Sequence, residues 1–178
     1  IKLTILRFFL KKTFNKCDGL IFLSKFAQTE IQKNLNNNNR YAVIPSGINR
    51  SFYNENQIIH KKIENYSNEN PMRLIYVSTI DMYKHQWNVV SAIYKLRLEG
   101  YPIEMNFIGS GSKKALKKFY KSYEKISDNH KFIRYHGEIE YSNLNNYYKK
   151  SDLIIFASSC ENLPIILLEG MATGLPIV

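Results

Sequence analysis

Two glutamates separated by seven residues are the first candidates for chemistry, Glu161 and Glu169. The apolar run 153–156 before them predicts a strand, and Pro164 favours a helix start, where a missing N–H costs nothing. Glu161 is then expected in the loop and Glu169 in the second helical turn. Carboxylates at the carboxyl end of a parallel strand suit a ligand with vicinal hydroxyls. The spacing is equally consistent with two glutamates of purely structural role, one favouring the helix dipole.

A second candidate is the loop 78–86, which follows the apolar run 74–77. Lys84 lies where this loop is expected to enter a helix, and a cation beside a helix N-terminus is well placed for a diphosphate. Since the chain contains 25 Lys and Arg residues, the residues alone favour an ordinary surface lysine at position 84.

A glycine-containing turn, residues 109–112, follows the apolar run 103–108. Its two glycines lack the third glycine of a dinucleotide-binding loop, and no Gly-Lys-Ser/Thr follows for a Walker loop. These residues therefore predict a plain turn between a strand and a helix.

The elements that must position these groups are alternating strands and helices. Short apolar runs bounded by polar or glycine residues are typical of buried parallel strands. They occur at 19–23, 41–44, 74–77, 103–108, 132–135, 153–156 and 176–178. This order predicts an α/β fold with a Rossmann-like, doubly wound parallel sheet.

Three helices are predicted from apolar residues spaced three and four apart. Ser142 is expected to cap the third helix and Gly100 to end the first. The apolar sets are Val89, Ala92, Ile93 and Leu96; Ala115, Leu116, Phe119, Tyr120 and Tyr123; and Leu144, Tyr147 and Tyr148.

A polar stretch without clear periodicity divides the chain. We therefore predict the tail of one α/β domain at 1–45, a connector at 46–71 and a second α/β domain at 72–178. Because the last apolar strand has no closing helix, and a parallel sheet needs both faces covered, the native protein is expected to continue beyond this sequence.

The composition limits the partners of the chain. The net charge of +10 admits a polyanion such as nucleic acid, but Lys and Asn are abundant throughout, which favours scattered surface charge. The two cysteines, Cys17 and Cys160, have no metal-ligand spacing and are expected to be buried, reduced thiols of a cytosolic protein. The basic, apolar segment 1–15 predicts either a packed helix or peripheral contact with a membrane.

The segment from Glu161 to Val178, with its Glu-Gly-Met-Ala-Thr-Gly-Leu-Pro, resembles the E-x7-E motif of family-4 glycosyltransferases, the "glycosyl transferases group 1" type with the GT-B fold. Residues 43–49 resemble the interdomain connector of that family, and residues 18–24 resemble the end of its acceptor domain. The resemblance implies a fragment that carries most of a donor-binding domain and the end of a second Rossmann-like domain.

The resemblance also implies roles for individual residues. Lys84 would meet the donor diphosphate and Glu169 the ribose hydroxyls, while Glu161 would bind the donor sugar. The family's diphosphate-binding arginine aligns with Thr79, which carries no charge. The remaining donor-binding positions implied are Ser110, Gly111, Gly137, Glu138, Asn162 and Leu163, with Glu161 and Lys84 as the catalytic pair.

The activity implied is transfer of a hexosyl group from a nucleoside diphosphate sugar to a glycan or lipid-linked acceptor, with retention and without a metal or other cofactor. The resemblance further implies a cytoplasmic enzyme of polysaccharide synthesis. In one alternative this enzyme lies at the inner face of the membrane. The chain alone is expected to be inactive, since acceptor residues belong to the other domain. A sugar-nucleotide epimerase and a non-catalytic nucleotide- or nucleic-acid-binding domain remain as alternatives.

Overall fold

The computed structural model describes residues 2–35, 40–53, 61–127 and 132–178, and the chain forms two compact units. The first unit comprises Ile1–Gly47 and Asn162–Pro164, and the second comprises Ile48–Glu161 and Ile165–Val178. Part of the predicted connector, residues 54–60, lies outside the described residues.

The first unit is a small parallel β/α arrangement. Its two strands pair in parallel from Gly19 opposite Arg40, and their ends lie within one residue of the predicted apolar runs 19–23 and 41–44. The Ser24 hydroxyl caps the second helix by accepting a hydrogen bond from the Ala27 amide at 3.1 Å. The elements are α1 (Lys2–Lys16), β1 (Gly19–Phe22), α2 (Lys25–Gln32) and β2 (Arg40–Val43).

The second unit contains a four-stranded parallel sheet with the order β5-β4-β3-β6, which confirms the predicted parallel α/β class. The strand predicted at 153–156 ends already at Ile154, and the run predicted as a strand at 176–178 forms only a single bridge, between Ile177 and Ile154. The strands are β3 (Met72–Val77), β4 (Ile103–Ile108), β5 (Ile133–Tyr135) and β6 (Leu153–Ile154).

Helices cover both faces of this sheet. Alternate residues of β3 point to opposite faces, so Leu74 and Tyr76 join one hydrophobic core while Ile75 and Val77 join the other. The first core includes residues of α3 and α4, and the second includes residues of α5 and α6. These helices are α3 (Gln86–Leu98), α4 (Lys113–Ser127), α5 (Tyr141–Lys149) and α6 (Ile165–Thr173).

The predicted buried face of α3 was partly wrong. Val89 and Ile93 are buried, but Ala92 and Leu96 are exposed. The buried face of α3 instead includes Val90 and Gln86. Because Gln86 is polar, the spacing of apolar residues does not identify it as buried. The face predicted for α4 is largely right: Ala115 and Phe119 are buried, Leu116 and Tyr123 are half-buried, and Tyr120 is exposed.

The helix ends test the predicted caps. Gly100 ends α3 as predicted: it has φ +93°, and the amides of Gly100 and Tyr101 donate to the last carbonyls of the helix. Ser142 is not a cap, because α5 already begins at Tyr141 and Glu140 is the capping residue. The helix α6 begins one residue after Pro164 and ends before Gly174, which has φ +78°.

The cysteine prediction was wrong in one respect. Both thiols are free, but Cys160 is exposed and Cys17 is half-buried, because neither lies on a face that packs into a core. Within the described ranges, no helix is long and apolar enough to cross a membrane.

Candidate functional site

The turns after β3, β4 and β5 are joined by backbone hydrogen bonds at the carboxyl edge of the sheet. The Ser78 amide donates to the Ile108 carbonyl at 2.9 Å, and the Ile80 amide donates to the Ser110 carbonyl at 2.7 Å. The Gly109 amide donates in turn to the Gly137 carbonyl at 2.7 Å. The three turns therefore form one connected rim, at the edge where open α/β sheets bind ligands.

Glycines make this close approach possible. A Cβ on Gly109 would lie 2.2 Å from the Ser78 carbonyl oxygen, and a Cβ on Gly111 would lie 2.8 Å from the Ile80 carbonyl oxygen. Gly109 also has φ +137°, which L side chains rarely adopt. The predicted site residues Ser110 and Glu138 are exposed along the rim.

Lys84 and Glu161 form an ion pair on this side of the sheet. The Lys84 ammonium donates to Oε1 of Glu161, and the Ser158 hydroxyl donates to the same oxygen at 2.6 Å. The two side chains are only 11% and 22% exposed, and the ammonium lies 5.2 Å from the centre of the Tyr83 ring. The Tyr76 hydroxyl fixes the loop by donating to the Lys84 carbonyl at 2.6 Å.

This arrangement keeps Glu161 ionised. Burial by itself raises the pKa of Glu161, but the hydrogen bonds from Lys84 and Ser158, together with the charge of Lys84, outweigh burial and hold the pKa below its usual range. The carboxylate of Glu161 is therefore held in its ionised form beside the ammonium of Lys84. An incoming anion or polyhydroxylated group would have to replace one partner of the Lys84–Glu161 ion pair in order to bind to the other.

The β6–α6 loop is attached to the β3–α3 loop beside this pair. The Ser159 amide donates to the Tyr83 carbonyl at 2.9 Å, and Nε2 of His85 lies 2.9 Å from the Ser159 hydroxyl. His85 has φ +56° and is the non-glycine residue with positive φ in the described part of the chain. Such strain persists where the surrounding contacts impose it, often at functional sites.

Two substitutions separate the backbone strain at His85 from its side-chain contacts. His85→Ala and His85→Gly both remove the imidazole, but only glycine adopts the left-handed conformation without a steric penalty. His85→Gly is therefore expected to be about 1 kcal/mol more stable than His85→Ala in urea unfolding. Equal stability of the two variants would mean that residue 85 is not left-handed in solution.

Glu169 lies in α6 and is completely buried. Its Oε1 accepts a hydrogen bond of 2.5 Å from the Tyr141 hydroxyl, whereas Oε2 has no partner within the residues that the structure describes. Burial raises the pKa of Glu169, and the hydrogen bond from Tyr141 only partly opposes that rise. Burial, followed by the bond to Glu169 and its charge, raises the pKa of Tyr141 to about 12.

The predicted site residues thus fall into separate groups. Lys84 and Glu161 are in contact, while Glu169 has Tyr141 as its partner. Ser110, Gly111, Gly137 and Glu138 belong to the rim. Asn162 and Leu163 belong to the first unit, in which Asn162 accepts a hydrogen bond of 2.7 Å from Ser24.

Sequence reasoning missed two polar contacts of the glutamates. Ser158 lies three residues before Glu161 in the loop, and this local spacing is a usable signal for a hydroxyl that meets a carboxylate. Tyr141 is 28 residues from Glu169, and no periodic pattern relates the two positions.

The sequence matches one family profile. Residues 57–178, more than half of the chain, match the family described as "Glycosyl transferases group 1". The match includes the rim, the Lys84–Glu161 pair and Glu169.

A curated relative and several solved structures are similar to the chain. An uncharacterized glycosyltransferase of Haemophilus influenzae is 26% identical over 168 residues, which cover 91% of this chain and 41% of the relative. Anabaena HepE, solved with UDP and glucose, has a TM-score of 0.73 at 15% identity, over 98% of this chain and 47% of that one. The pneumococcal O-GlcNAc transferase GtfA, solved with UDP and GlcNAc, has a TM-score of 0.67 at 21% identity, over 93% and 30%. The chain therefore spans less than half the length of these proteins.

Proposed function

The chain belongs to the glycosyl transferases group 1 family, and from this premise we propose that it carries the donor site of a GT-B enzyme that transfers a sugar from a nucleoside diphosphate sugar to an acceptor. The observation that carries the proposal is that the unit whose sheet carries the rim of three connected turns also contains the Lys84–Glu161 ion pair and the buried carboxylate of Glu169. A cation and two carboxylates in one domain match the three parts of such a donor, which are the diphosphate, the sugar and the ribose.

Lys84 and Glu161 serve the reacting end of the donor in this proposal. When the donor binds, the ammonium of Lys84 leaves Glu161 and pairs with the diphosphate, because two phosphate charges attract the ammonium more strongly than one carboxylate does. The released Glu161 then accepts hydrogen bonds from the sugar hydroxyls. Charge on the departing diphosphate is stabilised by Lys84 rather than by a bound metal.

The other end of the donor lies against Glu169 and the rim. Glu169 accepts hydrogen bonds from the ribose, and the turns that contain Ser110, Gly111, Gly137 and Glu138 line the nucleotide. Two structural neighbours were solved with UDP, one together with glucose and the other together with GlcNAc, which supports UDP as the first nucleotide to test.

The acceptor side of the reaction lies beyond these residues. We propose a hexosyl transfer with retention to a glycan or lipid-linked acceptor, on the cytoplasmic side of a membrane and in polysaccharide synthesis. Because the chain spans 41% of its curated relative, residues that bind the acceptor are proposed to lie elsewhere in the protein, and the chain alone is expected to lack transferase activity.

Calorimetric titration with UDP, GDP and uridine tests the donor site. The wild-type chain is expected to bind one diphosphate selectively, and Glu169→Gln is expected to weaken that binding about 10-fold or more, since a hydrogen bond to a charged group contributes about 1.5–3 kcal/mol. A folded wild-type chain that binds no nucleotide would contradict the proposal. Conversion of a UDP-sugar into its epimer without an acceptor would instead indicate an epimerase.

The same variant is expected to be more stable than the wild type at neutral pH. Burial raises the pKa of Glu169 in the folded state, so its contribution to stability is fully present below the unfolded pKa and is lost as the pH rises through the folded pKa. Glu169→Gln therefore gains about 1 kcal/mol over the wild type near pH 8, and the gain disappears below about pH 4. Urea unfolding across this pH range measures the difference, and a constant difference would rule out titration of Glu169 as its cause.

A further inference from the structure

We propose that Tyr141 is a positioning residue that holds Glu169 in the orientation in which its free oxygen accepts a ribose hydroxyl of the donor. The proposal rests on the proposed function of Glu169. It adds a residue that lies 28 positions earlier in the chain and belongs to a different helix, α5.

The partners of Glu169 define the proposed role. Its carboxylate is fully buried, and Tyr141 holds one oxygen at 2.5 Å while the other oxygen has no partner among the described residues. Buried polar atoms are nearly always hydrogen-bonded, so an unpartnered oxygen on a buried carboxylate indicates a missing donor group. A ribose has two hydroxyl groups that can donate hydrogen bonds. Because Tyr141 fixes one oxygen of the Glu169 carboxylate, the direction of the second carboxylate oxygen is fixed as well.

Tyr141 is itself held in place by an aromatic contact. Its ring meets the buried Phe52 ring edge-on, with 5.5 Å between the ring centres, and Phe52 also packs against Tyr148 at 5.9 Å. Tyr141 is 52% exposed as a residue, whereas the hydrogen bond from its hydroxyl to Glu169 is partly buried. It also opens α5 directly after the rim turn that contains Gly137.

Tyr148 supplies a matched control on the same helix. Its hydroxyl is buried and has no partner in the described part of the chain, and burial, followed by the charge of Glu169, raises its pKa. Tyr148→Phe and Tyr141→Phe therefore each remove one phenolic hydroxyl group from α5. Only Tyr141→Phe removes a hydrogen bond to Glu169.

The test is calorimetric titration of wild type, Tyr141→Phe, Tyr148→Phe and Glu169→Gln with UDP and 2′-deoxy-UDP, and with GDP and 2′-deoxy-GDP if the chain selects guanine. Tyr141→Phe is expected to weaken binding of the ribonucleotide about 10-fold and to change binding of the deoxynucleotide less than 3-fold. Tyr148→Phe is expected to bind both ligands as the wild type does. A merely structural role of Tyr141 would weaken both ligands equally.

The pH dependence gives a second readout. Among the described residues, the titratable side chains whose pKa is raised by the charge of Glu169, in addition to burial, are Tyr141 and Tyr148, both on α5. The hydrogen bond from Tyr141 lowers the pKa of Glu169, so its removal raises that pKa further. Loss of ribonucleotide affinity on acidification is therefore expected at a higher pH in Tyr141→Phe than in the wild type or Tyr148→Phe.

The outcomes separate the two proposals. If wild type and Glu169→Gln bind ribo- and deoxynucleotides with the same preference, the ribose role of Glu169 is wrong. If Glu169→Gln loses the preference but Tyr141→Phe keeps it with an unchanged pH profile, the ribose role stands and the positioning role of Tyr141 is overturned.

Discussion

Replacing Lys84 with methionine is expected to lower the affinity for UDP about 100-fold while leaving the affinity for uridine unchanged. Methionine has nearly the length and apolar character of the lysine side chain, so the Tyr83 and Phe156 rings retain a side chain to pack against. What disappears is the positive charge. Since Thr79 carries no charge, we expect Lys84 to supply most of the positive charge that meets the diphosphate in the proposed donor site.

The same substitution is expected to destabilise the protein. Glu161 loses its counter-ion while it is 22% exposed, and a largely buried carboxylate without a partner is costly. Because the site is not fully buried, the expected loss is about 1–3 kcal/mol, below the range for fully buried pairs. The hydrogen bond from Ser158 remains and limits the loss.

The double variant Lys84→Met, Glu161→Gln separates stability from binding. Removing both charges is expected to recover most of the lost stability in urea unfolding without recovering UDP affinity. UDP affinity that stays within a factor of three of the wild type in Lys84→Met would place the diphosphate elsewhere. Failure of the double variant to regain stability would show that the ion pair is not formed in solution.

The parts of the site that follow from local order in the sequence were predictable. A strand, a loop and a helix in succession place Glu161 before α6 and Glu169 within it, and the structure has this order. The end of α3 was predictable for the same reason, because a glycine with φ +93° closes a helix through contacts with its own last turn.

The contacts between distant segments were not predictable from a single sequence. The pairing of Lys84 with Glu161 spans 77 residues, and that of Tyr141 with Glu169 spans 28. Their partners are set by the order of strands in the sheet, which no local pattern encodes. The buried face of α3 has a similar origin: Gln86 is buried because its amide donates to the Thr79 carbonyl at 3.1 Å.

Gly109→Ala is expected to be among the most destabilising single substitutions in the second unit, with a loss of about 3–5 kcal/mol. Two independent costs add at this position. The residue has φ +137°, and a Cβ would lie 2.2 Å from the carbonyl oxygen and 2.7 Å from the carbonyl carbon of Ser78. Both atoms are backbone, so no side-chain rotation relieves the clash, and the turns after β3 and β4 must separate.

Gly100→Ala is the matched control, because Gly100 has φ +93° but nothing lies within 4 Å of its would-be Cβ. Its expected loss is about 1 kcal/mol, which reflects backbone strain alone. The difference between the two variants in urea unfolding therefore measures the clash with Ser78. If the two losses are equal, the turns do not approach as closely as the structure shows. If Gly109→Ala folds but binds UDP more weakly than Gly100→Ala, the close approach of the turns also shapes the nucleotide site.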